Sequence, residues 1–140
     1  MEQVDSYIRI LEQLQEVVNT ITKIEQNKAL AAVKNEPALL DDQIRREQAE
    51  ILKLKGLEQS RIRLGNDLGW EDRTFRQILS DSDPETKERL QPVFEQMEES
   101  IRFLNSARDT ADRMIKVRLH EMEARTAQVG AGSHSTEWRI

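Results

Sequence analysis

The chain has no cysteine, 3 prolines and 5 glycines among 140 residues, and only 4% of it is aromatic. Without cysteine there can be no disulfide framework and no thiolate metal site, and the chain fits a reducing compartment. Scarce proline and glycine leave few places for a helix to break. Together with a charged fraction of 34%, this is the composition of long helices with solvated outer faces. Nowhere is there a run of about 18 apolar residues, so stable membrane insertion is not expected. Nor is there a basic field. The formal net charge is -5, and lysines and arginines alternate with acids, whereas nucleic-acid binding needs clustered cations whose counterion release drives affinity. The start, Met1-Glu2-Gln3-Val4-Asp5, is acidic and unlike a signal or transit peptide. A cytoplasmic protein of one domain is the expectation.

What is present is helical periodicity. Val4, Tyr7, Leu11, Leu14, Val18 and Ile21 alternate steps of three and four, the seven-residue repeat of a supercoiling seam; the seam drifts to Ile24 and then loosens. Lys34-Asn35-Glu36-Pro37 reads as a hairpin turn, since asparagine tolerates the left-handed conformation and proline suits the first turn of a helix. A second helix carries Leu40, Ile44, Ile51, Leu54, Leu57 and Leu64, and Gly65-Asn66-Asp67-Leu68-Gly69 ends it. Trp70, Phe75, Ile78 and Leu79 suggest a short helix plugging the bundle end. Asp83-Pro84-Glu85 is a strong restart, and a long last helix follows, with a kink or short break expected at Pro92.

The sequence therefore predicts an all-α fold: an elongated antiparallel helical hairpin plus a long C-terminal helix, a coiled-coil-like three-helix bundle. The expected helices cover residues 2–34, 37–66, 71–79 and 84–128, in one domain over 1–128. Residues 129–140 read as a flexible tail rich in glycine and serine, ended by Trp138-Arg139-Ile140, which is either a docking peptide or incidental.

Chemistry is hard to assemble from this sequence. His120 and His134 are the only histidines, and neither has a metal-ligand partner at a recognised spacing. His120-Glu121-Met122-Glu123 is not a zinc-protease motif, and Val117 stands where a di-iron bundle would place glutamate. Glu98-Glu99 and Asp41-Asp42 are adjacent and diverge around a helix, whereas acid–base catalysis needs carboxylates that converge in a pocket. No phosphate loop or nucleophile constellation is present. No catalytic residue, cofactor or metal is expected, and the chain reads as non-enzymatic.

The last helix is the most informative element, because it carries two apolar stripes. Leu90, Phe94, Met97, Ile101, Leu104, Ala111, Ile115, Leu119 and Met122 share one face, as packing on a core requires. Phe103, Ala107, Thr110, Met114 and Val117 form another at steps of four, three, four and three. A wide wedge touching two neighbours would explain this, and so would an exposed binding patch. Burying five or six such side chains at roughly 1.5–3 kcal/mol each offsets a docking cost of about 4–15 kcal/mol.

The hairpin turn, the run Leu57-Glu58-x-x-Arg61-x-x-Leu64-x-x-x-Leu68-Gly69, the short linker and the long last helix with Leu104-Asn105 resemble the FlgN family of flagellar export chaperones over most of the chain. The sharpest shared element is Leu-Gly after the second helix. The resemblance implies a cytosolic helical protein that holds the hook-filament junction proteins FlgK and FlgL before type III export, with export gate components as further partners. It implies that the last helix binds the helical C-terminal end of the client. The client-binding candidates are Ile101, Phe103, Leu104, Ala107, Met114, Ile115, Val117, Leu119 and Met122. Where that family often has a second asparagine, Arg108 or Asp109 follows Asn105, so the apolar contacts carry over and an asparagine-specific one does not. The alternative is a structural coiled-coil scaffold that self-associates as a homo-oligomer through the second stripe.

Overall fold

The computed structural model describes residues 2–129, and their chain forms four helices: α1 (Glu2–Val33), α2 (Pro37–Asp67), α3 (Phe75–Asp81) and α4 (Pro84–Val129). Among the described residues there is no strand. This is the helical bundle with a long last helix that the periodicity predicts. The expected tail, including Trp138 and Ile140, lies outside the described residues apart from Val129, which ends α4.

Local chemistry accounts for the element boundaries. After α1, Asn35 adopts φ 56°; its N–H donates to the Ala32 carbonyl at 3.1 Å, and that of Glu36 donates to Ala31 at 2.9 Å. This is a Schellman closure with asparagine in the left-handed position. Pro37 then opens α2, where its missing N–H costs nothing. The same closure recurs after α2, with Gly69 at φ 83°, its N–H on Asn66 at 3.0 Å and that of Trp70 on Gly65 at 2.8 Å. The helix runs through Gly65, which is buried with its α-carbon facing the Tyr7 ring.

The third helix begins four residues later than the sequence suggests. Thr74 caps it: the threonine hydroxyl accepts from the Gln77 N–H at 3.1 Å, and the Gln77 side chain accepts from the Thr74 N–H at 2.9 Å. This capping box satisfies two donors that a helix starting at residue 71 would have to satisfy otherwise. Trp70 lies outside the helix yet still serves the plug. Its ring meets Tyr7 edge-on with centroids 5.1 Å apart, while Phe75 stacks on Phe94 at 4.1 Å, and Ile78 is buried. At the start of α4 the Asp83 carboxylate accepts from the Thr86 N–H at 2.7 Å, and this backbone hydrogen bond holds Asp83 below its usual range. Of the kink or short break expected at Pro92, the break is absent. α4 continues through it, with Pro92 itself exposed.

Packing centres on α1. The helices α2 and α4 both lie against it, and among the described residues no Cα of α2 comes within 8 Å of one in α4. Buried residues on α1 keep the repeat to its end: Val4, Tyr7, Leu11, Leu14, Val18, Ile21, Glu25, Lys28 and Ala32. α4 contributes Leu90, Phe94, Met97, Leu104, Ala111 and Ile115. In α2 the only buried residues are Gln43 and Gly65, so its apolar stripe is at best half-buried. Truncating Leu11, fully enclosed, to alanine is expected to cost about 2–5 kcal/mol. Leu52→Ala, at a side chain 70% exposed, should stay within about 0.5 kcal/mol; urea denaturation of both variants checks the contrast.

Candidate functional site: an open groove between two helices

Because α2 and α4 each lean on α1 and not on each other, the molecule has an open trough with α1 as its floor. Its first half, about 740 Å³, has Leu11, Leu14 and Val18 below, Leu54 and Glu58 on the α2 side, Met97, Ile101 and Leu104 on the α4 side, and Thr74 and Phe75 closing the end. The second half, about 460 Å³, lies beside the hairpin turn, between Leu40 and Ile44 on one wall and Ile115, Leu119 and Met122 on the other, over Ala31 and Ala32. The walls are mainly apolar, as a groove for a helix or another apolar segment requires.

Charges interrupt the trough at its midpoint. Glu25 is buried on α1, with Lys28 Nζ 2.6 Å from its Oε1 and Arg108 Nε of α4 3.2 Å from its Oε2. Lys28 also reaches Glu47 of α2 at 3.0 Å, and the adjacent Asn27 donates to Gln43, one turn before Glu47 on α2, at 3.3 Å. Burial alone would lower the Lys28 pKa, but the hydrogen bonds that it donates to Glu25 and Glu47 outweigh it and raise it. All three long helices thus place charge at one level.

At the plugged end, Arg61 pairs with Glu58 and donates from Nη1 to the Tyr7 hydroxyl at 3.3 Å. Hydrogen bonding to Glu58 leads the effects that raise the Arg61 pKa. Burial pushes the Tyr7 hydroxyl up against the opposing pull of Arg61. At the other end, Arg118 donates to Glu121 at 2.8 Å and reaches the Val33 carbonyl at the end of α1 at 3.4 Å.

The structure divides the nine client-binding candidates. Ile101, Leu104, Ile115, Leu119 and Met122 line the trough, although Leu104 and Ile115 are themselves buried. Ala107 and Met114 are half-buried, while Phe103 is 60% and Val117 49% exposed. At roughly 100° per residue, Phe103 and Val117 project about 160° away from Ile101, so the second stripe sits on the flank of α4 opposite the trough. Reasoning from α4 alone missed the α2 wall, the Phe75 end and the charged midpoint. A signal for the last was present: Glu25 and Lys28 continue the steps of four and three from Ile21, and Glu47 and Arg108 interrupt otherwise apolar stripes.

No group of three or more histidine, cysteine, aspartate or glutamate side chains is placed to hold a metal ion among the described residues. No described helix is long and apolar enough to cross a membrane. No family model, curated protein or solved structure matches the chain.

The raised pKa values of Tyr7 and Lys28 set an alkaline limit on stability. A group whose pKa is higher in the folded state favours folding below its unfolded pKa, and this contribution disappears as pH rises through the folded value. Tyr7 and Lys28 both titrate above about pH 10, so the urea midpoint should fall as pH increases from 9 to 11.5. Tyr7→Phe keeps the ring contacts and should make that decline shallower.

Proposed function

We propose that the chain is a non-enzymatic helix-binding chaperone of the FlgN type, which holds an amphipathic client helix in the trough between α2 and α4. The observation that carries this reading is the separation of α2 from α4 along an apolar floor. Helices that pack directly sit about 8–10 Å apart; these two leave a space that a further helix would fill, completing a four-helix bundle. Wet apolar side chains on α2 and α4 are then the contacts a client supplies. The clients implied by the FlgN resemblance are FlgK and FlgL, whose helical C-terminal ends would stay covered in the cytoplasm until export.

The trough rather than the second stripe is the better client surface, because a concave site buries a guest helix on three sides. Leu54→Glu with Ile101→Glu places charge on both walls and should weaken binding of FlgK or FlgL C-terminal peptides at least thirtyfold in fluorescence anisotropy. Phe103→Asp with Met114→Asp should leave the affinity within about threefold. Client binding that ignores the wall substitutions, in a variant with unchanged helicity, would rule out the trough.

A second reading follows from the exposure of Phe103 and Val117: self-association through the outer flank of α4, as in a structural scaffold. Light scattering separates the two. The chaperone reading expects a monomer at all concentrations tested, and the scaffold reading expects an oligomer that Phe103→Asp dissociates.

A further inference from the structure

The trough is apolar, charged and apolar again along its length, and every long helix repeats that order. On α2, Glu47 sits between Ile44 and Ile51; on α4, Arg108 follows Ile101 by seven residues and precedes Leu119 by eleven, both within about 20° of whole numbers of turns. The floor does the same with Glu25 and Lys28 between Val18 and Ala31. We propose that the trough selects an amphipathic helix with two apolar blocks about 17 residues apart and an aspartate or glutamate midway between them, seated against Arg108. This rests on the helix-binding reading of the trough.

The spacing follows from the two apolar halves. On α4 they centre near residues 101 and 118, and on α1 near 14 and 31, a separation of roughly 26 Å at 1.5 Å per residue. A guest helix lying along the floor must match it. The acidic midpoint follows from how the charged layer is paired. Lys28 lies between Glu25 and Glu47, with its side chain 10% exposed. Arg108 differs: its side chain is 42% exposed, and among the described residues it donates through Nε alone. Its two terminal nitrogens make no hydrogen bond among the described residues, and Arg108 lies on the same face of α4 as Ile101 and Leu119, so a docked helix would strip their water. A carboxylate accepts two parallel hydrogen bonds from such a fork, whereas a lysine there would meet like charge in a closing, poorly hydrated interface. An apolar residue would leave the fork desolvated without a partner.

Three synthetic helical peptides of about 27 residues test this on the full chain. The first carries two leucine blocks 17 residues apart with a central glutamate. The second has lysine at that centre, and the third keeps the glutamate but brings the blocks to 10 residues apart. Fluorescence anisotropy should show the first binding at least tenfold tighter than either other. Arg108→Gln should erase the preference for glutamate over lysine while leaving the spacing preference, and Ile101→Glu should weaken all binding, with circular dichroism confirming that both variants fold. Equal affinities for glutamate and lysine peptides that Ile101→Glu still weakens would overturn the proposal and leave the helix-binding reading standing. Absent binding, or binding indifferent to Ile101→Glu, would overturn both. A dimer of the free protein that Ile101→Glu converts to monomer would assign the trough to a second copy and overturn the proposal as well.

Discussion

Everything in this molecule is arranged around one helix that two others share. α1 presents a seven-residue repeat broad enough to receive α2 on one side and α4 on the other, and its largest buried side chains, Tyr7, Leu11 and Ile21, are enclosed between them. A three-helix bundle normally closes by letting each helix meet the other two. Here the closure is incomplete, because α2 and α4 stay apart. Apolar burial is therefore concentrated on α1, while the stripe of α2 remains half wet, since a helix with one neighbour can cover only part of its apolar face. The trough is the geometric result of that sharing.

The charged layer at the middle of the bundle bears on the same sharing. Glu25 lies deep in the seam between Lys28 of its own helix and Arg108 of α4, and Lys28 extends the contact to Glu47 of α2. Two acids and two bases cancel. Such a layer is a weak source of net stability, because removing charge from water offsets most of the attraction. Its value is positional: sliding α2 or α4 by one turn along α1 would strand a buried charge, which costs far more than the pair gains. Register along the whole trough is thus tied to one level.

One end of the trough is closed by aromatic contacts. Trp70 and Phe75, on either side of the Thr74 cap, reach Tyr7 and Phe94, so a short segment with little helix of its own is held by rings from α1 and α4. The opposite end is bounded by the hairpin turn and Arg118, and α4 continues past it with residues 123–127 exposed. The resulting cavity is apolar at both halves. An apolar lining of this kind suits another helix, which covers it along its length, better than a polar small molecule.

Much of the architecture was legible along the chain. The repeat from Val4 to Ile21, the left-handed Asn35 before Pro37, and the Asp83–Pro84 restart each specify backbone conformation through their own side chains, so α1, α2 and α4 end within about a residue of where periodicity and caps put them. The start of α3 was not read, because the Thr74–Gln77 capping box competes with an equally plausible start four residues earlier. Hydrophobic reading also stopped at Ile24, although the step of four and three passes on to Glu25 and Lys28, since a charge in a seam looks like its end until partners on other helices are known. The trough lay beyond any single stripe. A helix records in sequence which of its faces is apolar, but whether two such faces meet, or stand apart with a gap between them, depends on distances between segments far apart in the chain. Sequence alone determined the helices and their buried seam; only tertiary packing decided that α2 and α4 would not touch, and that the second stripe of α4 would face away from the opening they leave.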